Sequence, residues 1–332
     1  MFAKGKLEPK FIAIKEICEK YQENSGKKLS IGKMCSWLNV SRSAYYKWLK
    51  RKPSAEELEN QMIAQWILEY DEKYNHTLGY RRMRNYINRN QDKNYSKNRI
   101  HRLMKLLGIK SEIRRTRHSC TKSTPCTAEN ILKRDFYASA PNQKWTTDVT
   151  EFRIPMDDRK LYLSAILDLY DRSIVSYALS YRNDNLLVFN TFDKAIEKYP
   201  DAHPLFHSDR GFQYTSTIFQ EKLSVQGMEQ SMSRVGNCID NGPTEGFWGI
   251  LKTECFYNRT FQSIEELIKT IEEYLHYYNY ERYQERFNNL APMEVREAAL
   301  HSENPDQYPI PENKKIIAFW MMIKEKQQRK SA

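Results

Sequence analysis

Three acidic residues stand where phosphoryl-transfer chemistry would use them. Asp148 lies in WTTDVTEF (145–152), Asp209 in HSDRG (207–211) and Glu245 in DNGPTEGFWGILK (240–252). Such a site gathers carboxylates from separate segments of chain. Two Mg2+ ions, roughly 3.5–4 Å apart, then activate an attacking water or 3′-hydroxyl and stabilise the leaving oxygen. Singly, each acid has a plainer reading. An Asp in a strand is commonly a solvated edge, and a Glu in the first turn of a helix complements its dipole. Asp168, Asp171, Asp240 and Glu254 are equally available, so residue type alone leaves the choice open. Lys252 adds a discriminating feature: Glu245, Gly249 and Lys252 fall on one helical face, where the lysine could hold a substrate phosphate. An ordinary Glu–Lys surface helix would look the same.

The elements around these acids read as an α/β core. The stretches 145–154, 160–170 and 173–180 are rich in β-branched and aromatic residues and are separated by turn-like MDDR and DR, which predicts a three-strand meander. An amphipathic helix over 185–199, a short strand at 204–211, a helix near 217–227, a strand near 229–233 and a helix from Pro243 to about Phe256 follow. Pro243 suits the first turn of that last helix, where its missing N–H costs nothing. The order β-β-β-α-β-α-β-α implies a mixed sheet flanked by helices. Strands one and four can then be neighbours, which would bring Asp148 and Asp209 together with the late helix crossing near them.

Charge divides the chain. Of 53 Lys and Arg and 42 Asp and Glu, residues 1–140 hold 30 and 14, so the net charge of +11 resides in the first part. A basic part beside a mildly acidic one points to a polyanion partner. Within 29–54, two short helices joined at Asn39–Ser41, with Ser41 as an N-cap, outline a helix-turn-helix that exposes Arg42 and Lys47. A second basic helical unit covers 79–110, with Arg81, Arg82, Lys97 and Arg99 as phosphate-contact candidates. There Ser96 caps a helix and Gly108 ends it. The predicted division is a helix-turn-helix-like region at 1–54, a basic helical DNA-binding region at 55–115, a linker at 116–140, the core at 141–260 and a helical extension at 261–332, in which 316–323 (IIAFWMMI) reads as a docking helix.

The six cysteines are scattered and fit reduced thiols. His118, Cys120 and Cys126 lack a fourth ligand at zinc spacing. No signal-peptide core and no apolar run of the ~18 residues that cross a bilayer are present, so a cytoplasmic protein without a membrane partner is expected.

WTTDVTEF, HSDRGxxY and DNGPTEGFWGILK, in this order, resemble the catalytic core of insertion sequence 3 family transposases, second-frame type, which are relatives of retroviral integrases with an RNase H-like fold. The 35 residues between Asp209 and Glu245 match that family's acid spacing, and Lys252 stands where the family has Lys or Arg. Downstream, residues 276–296 resemble its Y-N-x-x-R…L-x-P-x-x-x-R tail, and 35–54 with 79–87 resemble its N-terminal helical regions. The likeness spans about 29–297. It implies a DDE polynucleotidyl transferase that cuts and joins DNA at insertion-sequence ends. Asp148, Asp209 and Glu245 would ligate two Mg2+ ions, with Mn2+ as a substitute, and Lys252 would contact DNA. His207, Asn241 and Gly211 match motif positions that support ligands or shape backbone, whereas Arg210 departs from the glutamine frequent in its slot. Double-stranded DNA (element ends and target), further copies of the chain and an upstream-frame protein are the implied partners. The alternative is a DNA-binding regulator whose RNase H-like half is inert; a plain nuclease of the same fold would cut without joining.

Overall fold

The computed structural model describes residues 8–112, 129–155, 157–234, 238–257 and 259–305. His118, Cys120, Cys126 and the segment 316–323 lie outside the described residues. The chain divides after Ser111 into two compact units.

The first unit is all helical: α1 (Glu8–Ser25), α2 (Ile31–Trp37), α3 (Arg42–Leu49), α4 (Ala55–Lys73), α5 (Tyr80–Asn90) and α6 (Lys97–Leu107). The local signals in the sequence account for the boundaries. The Ser41 hydroxyl accepts from the Ala44 N–H and the Ser96 hydroxyl from the Arg99 N–H, while Gly108 ends α6 at φ +72°. Ser54 and Glu57 form a capping box on α4. Phe11 and Ile14 of α1 bury against Met34 and Cys35 of α2 and Tyr45 of α3.

In the second unit β1 (Lys144–Ile154), β2 (Asp157–Asp168) and β3 (Ile174–Ser180) form the meander, followed by α7 (Asn185–Lys198), β4 (Leu205–Ser208), α8 (Thr217–Val225), β5 (Gln230–Met232), α9 (Gly242–Leu251), α10 (Ile264–Tyr280) and α11 (Pro292–Leu300). The five-stranded sheet has the order β3-β2-β1-β4-β5, antiparallel across the meander and parallel from β1 to β4 to β5. Strand alternation sorts the core into two layers. Leu161, Leu163, Ala165 and Leu167 of β2 pack with Phe247 and Leu251 of α9 and Leu267 and Ile271 of α10. Trp145, Ile166 and Val175 point to the other face, against Phe192 of α7 and Phe219 of α8.

Two boundaries differ from the sequence reading. Residues 129–138, read as linker, pack with this unit: the Ser231 hydroxyl accepts from the Ile131 and Leu132 N–H groups, and Leu132 and Ala138 bury against Leu169, Tyr170 and Phe287. Their mixed polarity hid a segment that needs only a few apolar anchors. The late helix is α-helical only to Leu251 and continues as a π-helical turn, Lys252–Phe256. The extension beyond 261 supplies one wall of the core, since α10 covers the sheet.

Asp168 and Asp171, available as metal ligands on type alone, serve this packing. Both are fully buried, and Nη1 of Arg296 in α11 lies 2.9 Å from a carboxylate oxygen of each. The Trp145 indole also donates to Asp168 at 3.1 Å. Burial and the neighbouring Asp168 push the Asp171 carboxyl up to about 6. Removing the cation would strand two buried acids, so Arg296→Met should cost roughly 3–5 kcal/mol. Lysine, a point charge, should recover little of it. Urea denaturation measures this, and a loss under about 1 kcal/mol would mean that the network is dispensable.

Candidate active site

The site begins with register. Lys144, Trp145 and Thr146 of β1 pair with Leu205, Phe206 and His207 of β4 in parallel. Continued two residues, that register sets Asp148 opposite Asp209, and residues in register on parallel strands share a face, about 4.8 Å apart. The ladder ends at Thr146, because β4 ends at Ser208 while β1 runs on to Ile154. Asp209 therefore stands just past a strand end, beside a strand that continues.

The start of α9 closes over this step. The Asn241 amide donates to the Thr147 carbonyl at 3.0 Å, Thr244 to the Thr146 hydroxyl at 2.7 Å, and the Trp248 indole N–H to Asp148 Oδ2 at 3.0 Å. The Val149 N–H holds Asp148 Oδ1 at 2.8 Å. Asp209 is shaped by its own loop, where the Gly211 N–H donates to Oδ1 at 2.9 Å. A Cβ on Gly211 would come within 2.8 Å of Gln213 Oε1 and 3.1 Å of Asp209 Oδ1, so a larger residue here would displace the Gln213 and Asp209 side chains.

Neither Asp148 nor Asp209 makes an ion pair among the described residues. Burial raises the pKa of both, and with the Asp209 and Glu245 charges it brings Asp148 to about 7. Glu245 is exposed in the first turn of α9, three residues before Trp248, near enough for its charge to act on Asp148. Lys252 sits across the site with its ammonium 5.2 Å from the Phe152 ring centre; burial lowers its pKa against the pull of Asp148 and Glu151.

Hard carboxylate oxygens without a cationic partner are the donor set that Mg2+ takes, and Asp148 and Asp209 fit it. Among the described residues, however, no three such groups stand close enough together to hold an ion. The structure thus joins Asp148 to Asp209 and leaves Glu245 beside the pair.

The other sequence candidates separate clearly. His207 is buried between the Ser231 and Ser233 hydroxyls at 2.9 and 3.2 Å, and burial lowers its pKa to about 4, so a neutral imidazole ties β4 to β5. Asn241 anchors α9 to β1. Arg210 donates to the Ser233 carbonyl. Asp240 is neutralised by Arg134 and Arg234, and Glu254 by Arg282. In the helical unit Arg42, Lys47, Arg81 and Lys97 are exposed. Arg99 bonds Glu59 (2.6 Å) and Asn60 (2.9 Å), and Arg82 donates to the Thr77 carbonyl, so both of these part-buried arginines also brace the helices. Trp248 was missed in the sequence. Its position three residues after Glu245 was the available signal, obscured because a tryptophan among apolar neighbours reads as core.

Models described as integrase core domain match residues 138–238 and 245–300, and one described as HTH-like domain matches 57–117. InsK for insertion sequence element IS150 of Escherichia coli K12 is 40% identical over 261 residues, which cover 77% of this chain and 90% of that protein. The chain belongs to the insertion sequence 3 family of transposases. Transposase InsF for insertion sequence IS3A, also from E. coli K12, is 30% identical over 74% of this chain and 86% of its own length. The HTLV-2 integrase catalytic core domain in complex with magnesium aligns at a TM-score of 0.36 and 18% identity, over 47% of this chain and 97% of that one. In this transposase the HTH-like match covers α4 to α6, the second basic unit, and not the α2–α3 hairpin. Among the described residues no helix is long and apolar enough to cross a membrane.

The raised carboxyl fixes a pH dependence. A native pKa of about 7 against 3.8 means that the folded protein holds a proton through that window while the unfolded chain has released it. Stability of the metal-free protein should therefore fall as pH rises from about 4 to 7. Asp148→Asn removes that loss. Its melting temperature should exceed the parent's near pH 8, with the gap closing toward pH 4. Parallel melting curves across this range would disprove the assignment.

Proposed function

We propose that this transposase cuts and joins DNA strands at the ends of its insertion sequence, with Asp148, Asp209 and Glu245 as ligands of two Mg2+ ions, for which Mn2+ substitutes. The observation that carries this reading is the pair of acids left without a cation at a strand-end step, in a unit whose other buried carboxylates have arginine partners. When bound, the ions would supply Lewis-acid activation of the attacking hydroxyl and charge neutralisation at phosphorus.

The chain's own residues do the rest. Trp248 and the Val149 N–H orient the two oxygens of Asp148, and the Gly211 N–H orients Asp209. Glu245 completes the set by a movement of the first turn of α9. Lys252, held in an apolar wall beside Asp148, takes a phosphate of the bound strand. Arg42, Lys47, Arg81 and Lys97 grip duplex backbone and keep the element's end in place, a positional contribution to catalysis. Further copies of the chain on DNA and an upstream-frame protein complete the assembly, in the cytoplasm.

The absence of a ready three-ligand cluster among the described residues is the feature that would favour an inert, DNA-binding regulator. Duplexes carrying the element's own terminal repeats decide between the two. The parent should release 3′-hydroxyl ends and form joined products in Mg2+ but not in EDTA. Asp148→Asn, Asp209→Asn and Glu245→Gln should each lose at least about a thousandfold while still binding the duplex. Binding with no strand chemistry in Mg2+ or Mn2+ would establish the regulator, and cutting without joining a nuclease.

A further inference from the structure

The turn between β2 and β3 and the loop between α10 and α11 meet at one corner of the second unit, where Phe287 packs on Leu169 and Tyr170. Two arginines come together there. Arg172 sits at the tip of the turn at φ +61°, a left-handed conformation that asparagine or glycine fills more easily, and Asn288 and Asn289 in the facing loop are also left-handed, at +54° and +65°. Arg286 lies 4.7 Å over the Phe287 ring and donates from Nε to the Gln284 side-chain oxygen at 2.8 Å. Arg172 Nη2 reaches the Phe136 carbonyl at 3.3 Å. Arg172 Nη1 and Gln284 Nε2 are buried donors without a partner among the described residues.

Among the described residues, the two buried arginines of this unit each have a carboxylate. Arg296 has Asp168 and Asp171, and Arg282 has Glu254 at 2.7 Å. Arg172 and Arg286 form no ion pair among the described residues. The nearby acids, Asp168 and Asp171, pull on Arg172 but are committed to Arg296, and Tyr278 contributes only a phenol. Burial and the facing Arg286 hold Arg172 down at about 10, so it is still a cation at neutral pH. Like charges, idle donors and one left-handed arginine at the same corner point to a missing anion, since such features persist where a ligand compensates them. Arg286 is exposed, which gives an anion its way in.

We propose that the corner formed by Arg172, Arg286 and Gln284 is an oxyanion site that takes a phosphate of the DNA backbone, apart from the three acids. Along β1 it stands beyond the level of Trp145 and Asp168, roughly 10 Å of strand from Asp148. A duplex held there would be gripped a few nucleotides from the strand that reacts. The assignment rests on the substrate being DNA, and it is independent of any strand chemistry.

The test uses the full chain in EDTA, so failure of the strand-transfer reading would not touch it. Affinity for a duplex of about 30 base pairs of arbitrary sequence is followed by fluorescence anisotropy against salt. Arg286→Gln should lower the slope of log K against log[salt] by roughly 0.9, one phosphate contact, and Arg286→Lys should restore most of it. Thermal melts with inorganic phosphate separate the sources. An unchanged DNA slope with phosphate stabilising the parent but not Arg286→Gln would keep the oxyanion site and overturn the DNA assignment. Without any anion, Arg286→Gln should melt no lower than the parent, because it relieves a like-charge contact. A melt several degrees lower, or no response to either DNA or phosphate, would make Arg286 a structural residue and overturn the proposal.

Discussion

Two carboxylates set side by side by the parallel pairing of β1 with β4 are the constraint around which this unit is organised. Like charges in a half-buried site repel, and burial removes the water that would screen them. The fold tolerates this because the sheet ladder, and not the acids, holds the strands together. Trp145 and Phe206, paired three residues before the step, are both fully buried, one with its indole on Asp168 and the other in the aromatic group with Phe192 and Phe219. The repulsion at the top of the strands is thus offset by packing lower in the same ladder.

Arginine distribution shows how the unit separates acids that hold structure from acids that do not. Asp168, Asp171, Asp240 and Glu254 each meet a guanidinium, and each joins segments far apart in sequence. Such pairs are poor sources of net stability but costly to break, so they fix geometry. Among the described residues, Asp148 and Asp209 receive hydrogen bonds from N–H groups only. Neutral donors orient a carboxylate without pairing its charge.

Much of this was legible in the sequence, for physical reasons. Runs of β-branched and aromatic residues between turn-like segments marked the three meander strands, and Ser41, Ser96 and Gly108 marked helix ends because caps are local chemistry. The motifs that resemble the family pointed to three acids among seven, and the β1–β4 register sets two of them, Asp148 and Asp209, side by side. What depended on tertiary partners was hidden. Arg99 and Lys97 look alike in a basic stretch, yet Glu59 and Asn60, some forty residues earlier, bond Arg99. Residues 129–138 lack periodicity because they are held by backbone bonds to Ser231. The change from α to π geometry at Lys252 has no compositional mark, since it arises where the helix passes from its seat on β1 to its contacts with α10.

That change links the site to the rest of the chain. Three side-chain bonds seat α9 on β1 through Asn241, Thr244 and Trp248. One turn later, Glu254 is held by Arg282 and the Tyr274 hydroxyl from α10, and Asn279 at the end of α10 bonds both backbone groups of Ile174. A π turn takes up the mismatch between a helix fixed at one end by a strand and at the other by a second helix. Glu245 belongs to the part of α9 where strand contacts come from one face only, and its own side chain faces solvent. The two aspartates are therefore positioned by the sheet and the glutamate by a helix packed against α10. The pair of aspartates thus depends on the β1–β4 ladder, and the place of Glu245 depends on the bonds that seat α9 on β1.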